Sequence, residues 1–566
     1  MSTSKVFEKL KSLRENIKWK IEHDRYEFIE KLARLIEDDW YGIDQLPNLR
    51  DIFQEGEIDQ LLCDAVSYWS DGTYSNTGKK FIDFVIKTGY KDQPKLDETG
   101  KPILRHTTAV HRLGNRPRRK LARKLFYSIY TRFDVNYVDE ATGMTHFHVA
   151  CKNHCNGVVM KFLEFGEDPN CLVEKTGESP LHLALTGGHE KIAKLLLRRG
   201  ADPNLARVDG WTPLHVICWH SDDVNVAKMF FDICDDEHQL VQVDARDQWG
   251  NTPLHFAVNR NQKELVEFLL RRGANPSLAN EEGSTPLHEC LTVDDNHCLV
   301  ELFFEINDEL NQSNRVQVDA KNKLGQTPLQ LAVANIMPYE VEVLLNRGAD
   351  LKSFVFPTAS FGKKYETRCY DDHNKLTLAF NALAVVENLQ EKIHLEQSDS
   401  LAIMKFFAKH QLFIKKSANV DKRWYDDEKF AIEVKKAMIR PNLSLYDLFR
   451  LPLEEATKLL TYKDHVIIGL LWAFLDTSEY KDISCEHLCE IISRKFFKAQ
   501  AWPHFLASNR DKLTVMSCKM EFDQLMNEDL YNICLDDASQ KWWKKVFVVL
   551  FCLLMIFLNY FYHKSN

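Results

Sequence analysis

One four-residue phrase recurs along the middle of this chain and limits its fold more than any other feature. The phrase is Thr-Pro-Leu-His or a variant of it. Four close copies begin at Ser179, Thr212, Thr252 and Thr285, and three looser copies begin at Thr108, Thr145 and Thr327. Successive copies start 37, 34, 33, 40, 33 and 42 residues apart. A period near 33 residues indicates a row of similar units rather than a single globular core.

The residue types in the phrase fit the start of a helix. Thr or Ser accepts a backbone N–H at the N-cap, and Pro suits the first helical position because its missing N–H is not needed there. Phrase and period together resemble ankyrin repeats. The resemblance implies an all-α solenoid with structural histidines, which hydrogen-bond within and between repeats rather than bind metal or act as bases. These histidines are His182, His215, His255 and His288.

A second helix follows the first in each unit. Lys191–Arg199 and Lys263–Arg272 carry apolar residues at helical spacing and end in paired arginines. Gly200 and Gly273 come next, where glycine supplies a left-handed C-cap. Because one unit cannot bury its apolar side alone, we expect about seven units over residues 99–355 to stack into one core with a concave surface.

Two of the intervals are long because they contain inserts. The inserts, Phe230–Asp247 and Phe303–Lys321, both include the sequence Val-Gln-Val-Asp-Ala. A duplicated pair of repeats explains this similarity. We expect the inserts to lengthen loops that project from one edge of the solenoid, where they could contact a partner.

Composition and the N-terminus exclude several classes of protein. A net charge of −9 argues against a chain that binds nucleic acid as a whole. The first residues, Ser4–Arg25, are densely charged and contain no apolar core, so no signal peptide is predicted and the chain is expected to begin in the cytosol. Between Arg112 and Lys124 lies a basic cluster that fits either a solvated helix face or a nuclear import signal.

The cysteines do not indicate a disulfide framework or a metal site. The 14 cysteines are scattered, mostly among apolar neighbours, as reduced and buried thiols are. The pairs Cys151/Cys155 and Cys485/Cys489 each have a nearby histidine but no second pair of ligands for zinc. No nucleotide loop, nucleophile–base arrangement or pair of carboxylates is evident. We therefore expect neither a cofactor nor enzymatic activity.

Beyond the repeats the chain is predicted to be helical. Residues 1–98 are expected to form a helical capping region, and residues 356–440 a helical connector. Residues 441–537 form a further all-α block, in which Ser444 is a suitable N-cap for a helical pattern that continues to Leu460.

The chain resembles proteins with a PRANC domain, because its repeats are followed by the sequence Leu-Ser-Leu-Tyr-Asp-Leu, from Leu443, and by a helical block. That domain is known from ankyrin proteins of poxviruses and parasitoid wasps. The wasp type is similar nearly end to end, in segments that begin at Leu46, Thr145, Gln242 and Met526.

The end of a PRANC domain is similar to a truncated F-box, which binds the Skp-type adaptor of cullin ubiquitin ligases. The resemblance implies adaptor contacts at Leu513, Phe522, Leu525, Asp529 and Leu530. The chain departs from the F-box pattern at Thr514, Met516 and Glu521, which replace a proline, an acidic residue and an apolar residue. The alternative is a helical packing domain without an adaptor.

The C-terminal stretch 541–562 is predicted to be a transmembrane tail anchor. Its apolar part, from Val546 to Tyr562, has 17 residues and would span roughly 25 Å as a helix, short for a ~30 Å hydrocarbon layer but within the accepted range. The preceding lysines place the body of the chain on the cytosolic side, and the short span favours the endoplasmic reticulum. The residues expected in the membrane or at its surfaces are Trp542, Trp543, Val546, Leu550, Leu554, Leu558 and Tyr562. The alternative is a buried core helix.

A solenoid of this kind is expected to bind a protein partner through its fingers and inner helices. Trp211 and Trp249 near finger tips, Trp219 on a first helix, and Arg207 and Asp247 beside them are the predicted contacts. The alternative for each tryptophan is packing against the next repeat. The chain could present its partner to a ubiquitin ligase as a substrate receptor. It could instead act as a scaffold or sequestering inhibitor, or as a structural linker between membrane and cytoskeleton.

Overall fold

The computed structural model of the chain describes residues 3–38, 46–54, 56–68, 75–113, 118–292, 299–310, 316–366, 372–414, 424–460, 480–509, 519 and 521–536. Their regular structure is helical, apart from a short antiparallel pair of strands, β1 (Met438–Arg440) and β2 (Leu443–Ser444). The chain divides into two compact units, unit 1 (Met1–Glu282) and unit 2 (Gly283–Asn566). Each unit is described by itself.

Unit 1 begins with helices that precede the repeats. They are α1 (Thr3–Glu15), α2 (Glu22–Asp38), α3 (Glu57–Tyr68) and α4 (Ser75–Lys87). Helices α2, α3 and α4 pack against one another around fully buried side chains such as Leu32, Leu61 and Ile82. The buried ion pair between Arg25 and Asp64 joins α2 to α3. The predicted helices are therefore present, while their role as a cap on the repeats stays a prediction.

The rest of unit 1 consists mainly of helix pairs. After α5 (Arg119–Ser128) come α6 (His146–Lys152), α7 (Asn156–Glu164), α8 (Pro180–Thr186), α9 (Glu190–Arg198), α10 (Pro213–His220), α11 (Val224–Asp236), α12 (Pro253–Asn259) and α13 (Lys263–Arg271). The first helices pack in the order α6, α8, α10, α12, and the second helices in the order α7, α9, α11, α13. Serial stacking of this kind is a solenoid.

The recurring phrase caps the first helix of every copy from Thr145 to Thr327 with a capping box. In one repeat, the Thr212 N–H donates to His215 Nδ1 over 3.1 Å, and His215 Nε2 lies 3.2 Å from the Asn251 carbonyl of the next repeat. Because an N–H can only donate and a carbonyl can only accept, the ring must be neutral with its proton on Nε2. The predicted structural role of these histidines is confirmed.

The first insert lengthens a helix more than a loop, which differs from our expectation. Helix α11 has 13 residues, whereas its counterparts α9 and α13 have 9 each. Four of the extra residues therefore extend the helix by about one turn. His238, with φ of 55°, ends α11 in the left-handed conformation that Gly200 adopts in the preceding repeat. The corresponding helix in unit 2, Leu299–Leu310, is also long, with 12 residues.

Unit 2 continues with two repeat pairs, α14 (Pro286–Cys290) with α15 (Leu299–Leu310), and α16 (Pro328–Ala334) with α17 (Pro338–Asn346). The further helices are α18 (Asp372–Gln390), α19 (Gln397–Lys409), α20 (Glu428–Lys436), α21 (Leu445–Arg450), α22 (Leu453–Leu459), α23 (Lys481–Asn509) and a last described helix at 527–536. Helix α18 packs against both α17 and α23, so it joins the repeats of this unit to its C-terminal block.

Ser444 caps α21 as predicted, because its hydroxyl accepts the Asp447 N–H over 3.1 Å. The helical pattern expected to continue to Leu460 is interrupted, however. Pro452 disfavours the helical conformation for the residue before it, and Leu451 is extended with ψ of 146°. The segment therefore forms two helices, α21 and α22, rather than one.

Among the residues described here, no helix is both long enough and apolar enough to cross a bilayer. The predicted anchor at 541–562 lies outside the described residues. It stays a prediction.

We expect acid to weaken the repeats through their buried histidines. Burial lowers the pKa of His182 and of His215 to about 4. The unfolded chain then binds more protons than the folded chain, so stability falls as the pH drops from about 6.5 toward 4. At pH 5, each such histidine should lower the free energy of unfolding by about 2 kcal/mol relative to its value at neutral pH.

One repeat of the chain already has, at the histidine position, a residue that does not titrate. Gln330 occupies the histidine position, accepts the Thr327 N–H over 2.9 Å and donates to the Val355 carbonyl over 2.9 Å. His215→Gln should therefore keep both hydrogen bonds and reduce the loss of unfolding free energy between pH 8 and pH 5, measured by denaturant titration. Gln330→His is the matched control and should increase that loss. An unchanged pH dependence in both variants would contradict this role.

Candidate protein-binding surface

Three aromatic side chains from two neighbouring repeats meet along α10 and α12, and we call them the tryptophan cluster. Trp211 directly precedes the cap of α10, Trp219 lies near the end of that helix, and Phe256 lies on α12. The Trp211 and Phe256 ring centres are 4.8 Å apart, and Trp219 is 5.7 Å from Phe256. All three side chains are half-buried, so each packs on its neighbours while keeping part of its surface accessible.

An arginine lies against each tryptophan of the cluster. The Arg207 guanidinium carbon is 4.8 Å from the Trp211 ring centre, and that of Arg260 is 5.5 Å from the Trp219 ring centre. Asp209 also pairs with Arg207 and holds it in place, through an Nε–Oδ1 contact of 3.1 Å. The surface thus combines aromatic faces with cations, in the geometry of cation–π contacts.

Trp249 is presented differently, at the tip of the next finger. It is 52% exposed, and Val208 on the preceding finger is exposed as well. The fingers are joined by their backbones, because the Gln248 N–H donates to the Asp209 carbonyl over 2.9 Å. Gly210 permits this approach, since it has φ of 85° and an added Cβ would lie 2.8 Å from the Asp247 Cα.

Asp247 is not placed to meet a partner. It is 6% exposed, and its Oδ1 accepts the N–H groups of Trp249 and Asn251 over 2.9 and 2.7 Å. These bonds organise the finger turn, which is a structural role. Of the predicted contacts, the structure therefore brings Arg207, Trp211 and Trp219 together and displays Trp249, while it turns the Asp247 carboxylate inward.

Sequence reasoning missed Phe256 and Arg260. Phe256 follows His255 as Val216 follows His215, so a large aromatic residue at the position after the phrase was the available signal. Arg260 is the C-cap of α12, and its position beside a tryptophan of the previous repeat depends on the stacking of the two repeats. No spacing within one repeat predicts that contact.

The F-box-like residues lie on unit 2, and two of them face its interior. Phe522 packs against Trp502 and Phe505, with ring centres 5.0 and 5.1 Å away, and Leu530 is fully buried. Leu525 and Asp529 are half-buried, and Leu513 lies outside the described residues. In this conformation Phe522 and Leu530 are unavailable to an adaptor, which does not fit the contacts that the resemblance implies for them.

A buried polar network explains why this segment is held inward. Arg494 of α23 donates to the carbonyl oxygens of Leu525 and Asp523 over 2.7 and 2.8 Å. Glu490, one turn earlier, accepts the Asn527 N–H over 2.7 Å, and burial raises its pKa to about 7. Because a buried charge left without its partner is costly, these bonds fix residues 521–536 on α23.

Substitutions of the two finger residues Asp247 and Trp249 should differ in their effect on the free energy of unfolding. Asp247→Ala should lower the free energy of unfolding by about 1–3 kcal/mol, because two part-buried N–H groups lose their acceptor. Trp249→Ala should change it by less than about 0.5 kcal/mol, because the side chain is exposed at a tip. Denaturant titration of both variants measures the difference. Equal effects would contradict the structural role of Asp247.

Comparisons with known proteins agree with the helix pairs. Residues 118–207 and 146–238 match the family described as ankyrin repeats (3 copies), and residues 237–290 match ankyrin repeats (many copies). A human relative, transient receptor potential cation channel subfamily A member 1, is 30% identical over 31% of this chain and 15% of its own length. E3 ubiquitin-protein ligase KEG of Arabidopsis thaliana is 27% identical over 37% of this chain and 13% of its own.

Two further comparisons each cover less than half of the chain. Human SH3 and multiple ankyrin repeat domains protein 2 is 26% identical over 45% of this chain and 13% of its own length. The crystal structure of the ankyrin repeat domain of Bcl-3 is 25% identical, with a TM-score of 0.32 over 37% of this chain and 88% of that domain. The chain thus spans less than a sixth of the curated relatives named here. Together, the family matches and the serially stacked helix pairs show that this chain contains ankyrin repeats.

Proposed function

We propose that this chain is a non-enzymatic binding protein whose repeats capture a polypeptide partner on the tryptophan cluster and the exposed finger tips. Ankyrin repeats imply a role in protein–protein interaction. The supporting observation is the pairing of half-buried tryptophans with arginines on neighbouring repeats. Tryptophan and arginine are the residue types that contribute most binding energy at protein interfaces.

The relatives do not identify the partner or the activity of this chain. A cation channel, a ubiquitin ligase and a protein with SH3 and ankyrin domains match this chain over a small part of their own length. Function depends on the surface that a fold presents rather than on the fold itself. The proposal therefore rests on the residues of this chain that its own repeats display.

Substitution of the cluster should weaken binding of the partner. Proximity labelling from the full-length chain would identify candidate partners, and the purified partner would then be titrated against variants. Trp219→Ala should lower affinity at least tenfold, a loss of about 1.4 kcal/mol or more.

Phe165→Ala is the matched control, because Phe165 is an exposed aromatic residue at the end of a second helix. It should leave affinity unchanged. Unfolding curves of both variants would show that neither has lost its fold. If Phe165→Ala weakened binding and Trp219→Ala did not, the partner would lie on another face.

A sharper form of the proposal is that the chain is a substrate receptor for a cullin-type ubiquitin ligase. Its support is the resemblance of the C-terminal block to a PRANC domain. The burial of Phe522 and Leu530 argues against an adaptor bound in the manner of an F-box, unless residues 521–536 leave α23. A scaffold or sequestering inhibitor without a ligase is the alternative, and it needs no such rearrangement.

Co-precipitation separates the receptor from the scaffold. If the chain is a receptor, a Skp-type adaptor and a cullin should be recovered with it. Leu525→Asp should abolish that recovery, because it places a charge at a half-buried apolar residue that the resemblance assigns to the adaptor contact. Ile432→Asp is the matched control in the same unit, since Ile432 is an exposed apolar residue. A tightly held partner recovered without any adaptor would support the scaffold.

We also propose that residues 541–562 anchor the chain to the cytosolic face of a membrane, with the endoplasmic reticulum favoured by the short apolar stretch. Support comes from the aromatic residues at both ends of that stretch and from the lysines before it. The full-length chain should resist extraction by alkaline carbonate, and deletion of residues 541–562 should release it. Complete extraction of the full-length chain would contradict the anchor.

A further inference from the structure

The turns between the first and second helices of neighbouring repeats lie along one edge of unit 1, because the helix pairs stack in series. Hydrogen bonds join consecutive turns. The Arg118 N–H donates to Asn153 Oδ1 over 2.9 Å, and His189 Nε2 donates to the Lys152 carbonyl over 3.0 Å. We call this edge the turn edge, and it comprises residues 118–119, 153–155, 187–189, 220–223 and 260–262.

Two histidine rings stack across the turn edge. The His154 and His189 ring centres are 4.6 Å apart, and the ring planes differ by 13°. His154 has the left-handed φ of 57°, and an added Cβ at Gly187 would lie 2.5 Å from His189 Nε2. Both side chains are half-buried. The pair is therefore held in a defined position while part of each ring stays accessible.

Positive charge surrounds the stacked pair. Burial lowers the pKa of His154 and of His189, and the positive charge of Arg119 lowers both further. Arg119 is exposed and forms no ion pair with any residue that the structure describes. Arg132 and Arg272, elsewhere in unit 1, do pair with carboxylates. A carboxylate from outside the chain would offset the repulsion at the stacked pair.

The turn edge is also cationic in the next two repeats. His220 is exposed and directly follows Trp219 of the tryptophan cluster. Burial lowers the pKa of His220, and the positive charges of Arg207 and Arg260 lower it further. Arg260 is exposed and lies over the Trp219 ring. The turn edge therefore meets the tryptophan cluster at this point.

Acidic residues interrupt the row of cations and so limit what it can bind. Glu190, Asp222 and Asp223 are exposed on the same turns, and Asp222 Oδ1 lies 3.8 Å from Arg260 Nη2. A nucleic acid carries a charge at every phosphate and would meet these carboxylates wherever it crossed the edge. A polypeptide can space its acids and place an apolar side chain on Trp219 between them, so the pattern favours a polypeptide.

We propose that the turn edge binds an acidic segment of a polypeptide partner, with one carboxylate beside Arg119 and the stacked histidines and a second beside His220 and Arg260. Because His189 Nε2 already donates to a carbonyl, its Nδ1 takes up the further proton and donates to the carboxylate. This inference names the chemistry of the partner that the proposed function assigns to the repeats, and it rests on that function.

Fluorescence anisotropy with the full-length chain tests this inference. The probes are labelled acetyl-Glu-Leu-Glu-Leu-Glu-amide, the same peptide with glutamine in place of glutamate, and an oligothymidylate of equal charge. At pH 6 the glutamate peptide should bind saturably and at least about tenfold more tightly than the glutamine peptide. Equal binding of the two peptides, or no saturable binding, would overturn the inference. Tighter binding of the oligothymidylate would assign the edge to nucleic acid and overturn it as well.

Two arginine variants locate the site. Arg119→Gln should weaken binding of the glutamate peptide about fivefold or more, because it removes the cation beside both stacked rings. Arg198→Gln is the matched control, since Arg198 is an exposed arginine in the last turn of α9, at the opposite end of that helix from His189. It should bind as the unchanged chain does. Equal weakening by both variants would show that net charge alone governs binding, and would overturn the site.

The pH dependence is a further measurement. A bound carboxylate should raise the pKa of the edge histidines, so affinity for the glutamate peptide should rise from pH 8 to pH 6, with proton uptake on binding. His154→Asn should reduce that rise, and asparagine tolerates the left-handed backbone there. Proton release would contradict the site. The other titratable or charged groups that face these histidines keep their protonation state over this range, and they are Cys155, Arg119, Arg123, Glu190, Lys191, Arg207, Asp222, Asp223 and Arg260.

The purified partner separates this inference from the proposed function. If Trp219→Ala weakens its binding and Arg119→Gln does not, the turn edge is overturned and the proposed function stands. If Arg119→Gln alone weakens its binding, the turn edge stands and the tryptophan cluster is not the contact. Weakening by both variants supports both.

Discussion

The stacking of the repeats in this chain depends on a hydrogen bond that a neutral imidazole makes from each repeat to the next. One ring nitrogen closes the cap of its own helix, and the other reaches the carbonyl that precedes the cap of the following repeat. His182 connects in this way to Trp211, His215 to Asn251 and, within unit 2, His288 to Gln326. Each histidine therefore sets both the start of a helix and the spacing to its neighbour. The tryptophan cluster combines side chains of two neighbouring repeats, so its geometry follows from that spacing.

Features that depend on local chemistry could be predicted from the sequence. The caps at Ser179 and Ser444, the left-handed Gly200 and the pairing of helices all result from residues a few positions apart, so their pattern is visible in one chain. The break at Pro452 was also visible, since proline restricts the residue before it. The helical spacing of the apolar residues through Leu460 hides that break in the sequence pattern.

Features that depend on distant residues could not be predicted. The contact of Arg260 with Trp219 depends on the stacking of two repeats. The position of residues 521–536 is held by Arg494 and Glu490, which are about thirty residues earlier in the chain.

Main-chain hydrogen bonds join the tips of neighbouring fingers in unit 1. The Val208 N–H donates to the Thr176 carbonyl, the Gln248 N–H to the Asp209 carbonyl, and the Glu281 N–H to the Trp249 carbonyl. Side chains take no part in these three bonds, so the edge keeps its shape whichever residues stand at Val208 or Trp249. Binding preference at this edge can therefore diverge between related chains by single substitutions, without any compensating change in the scaffold.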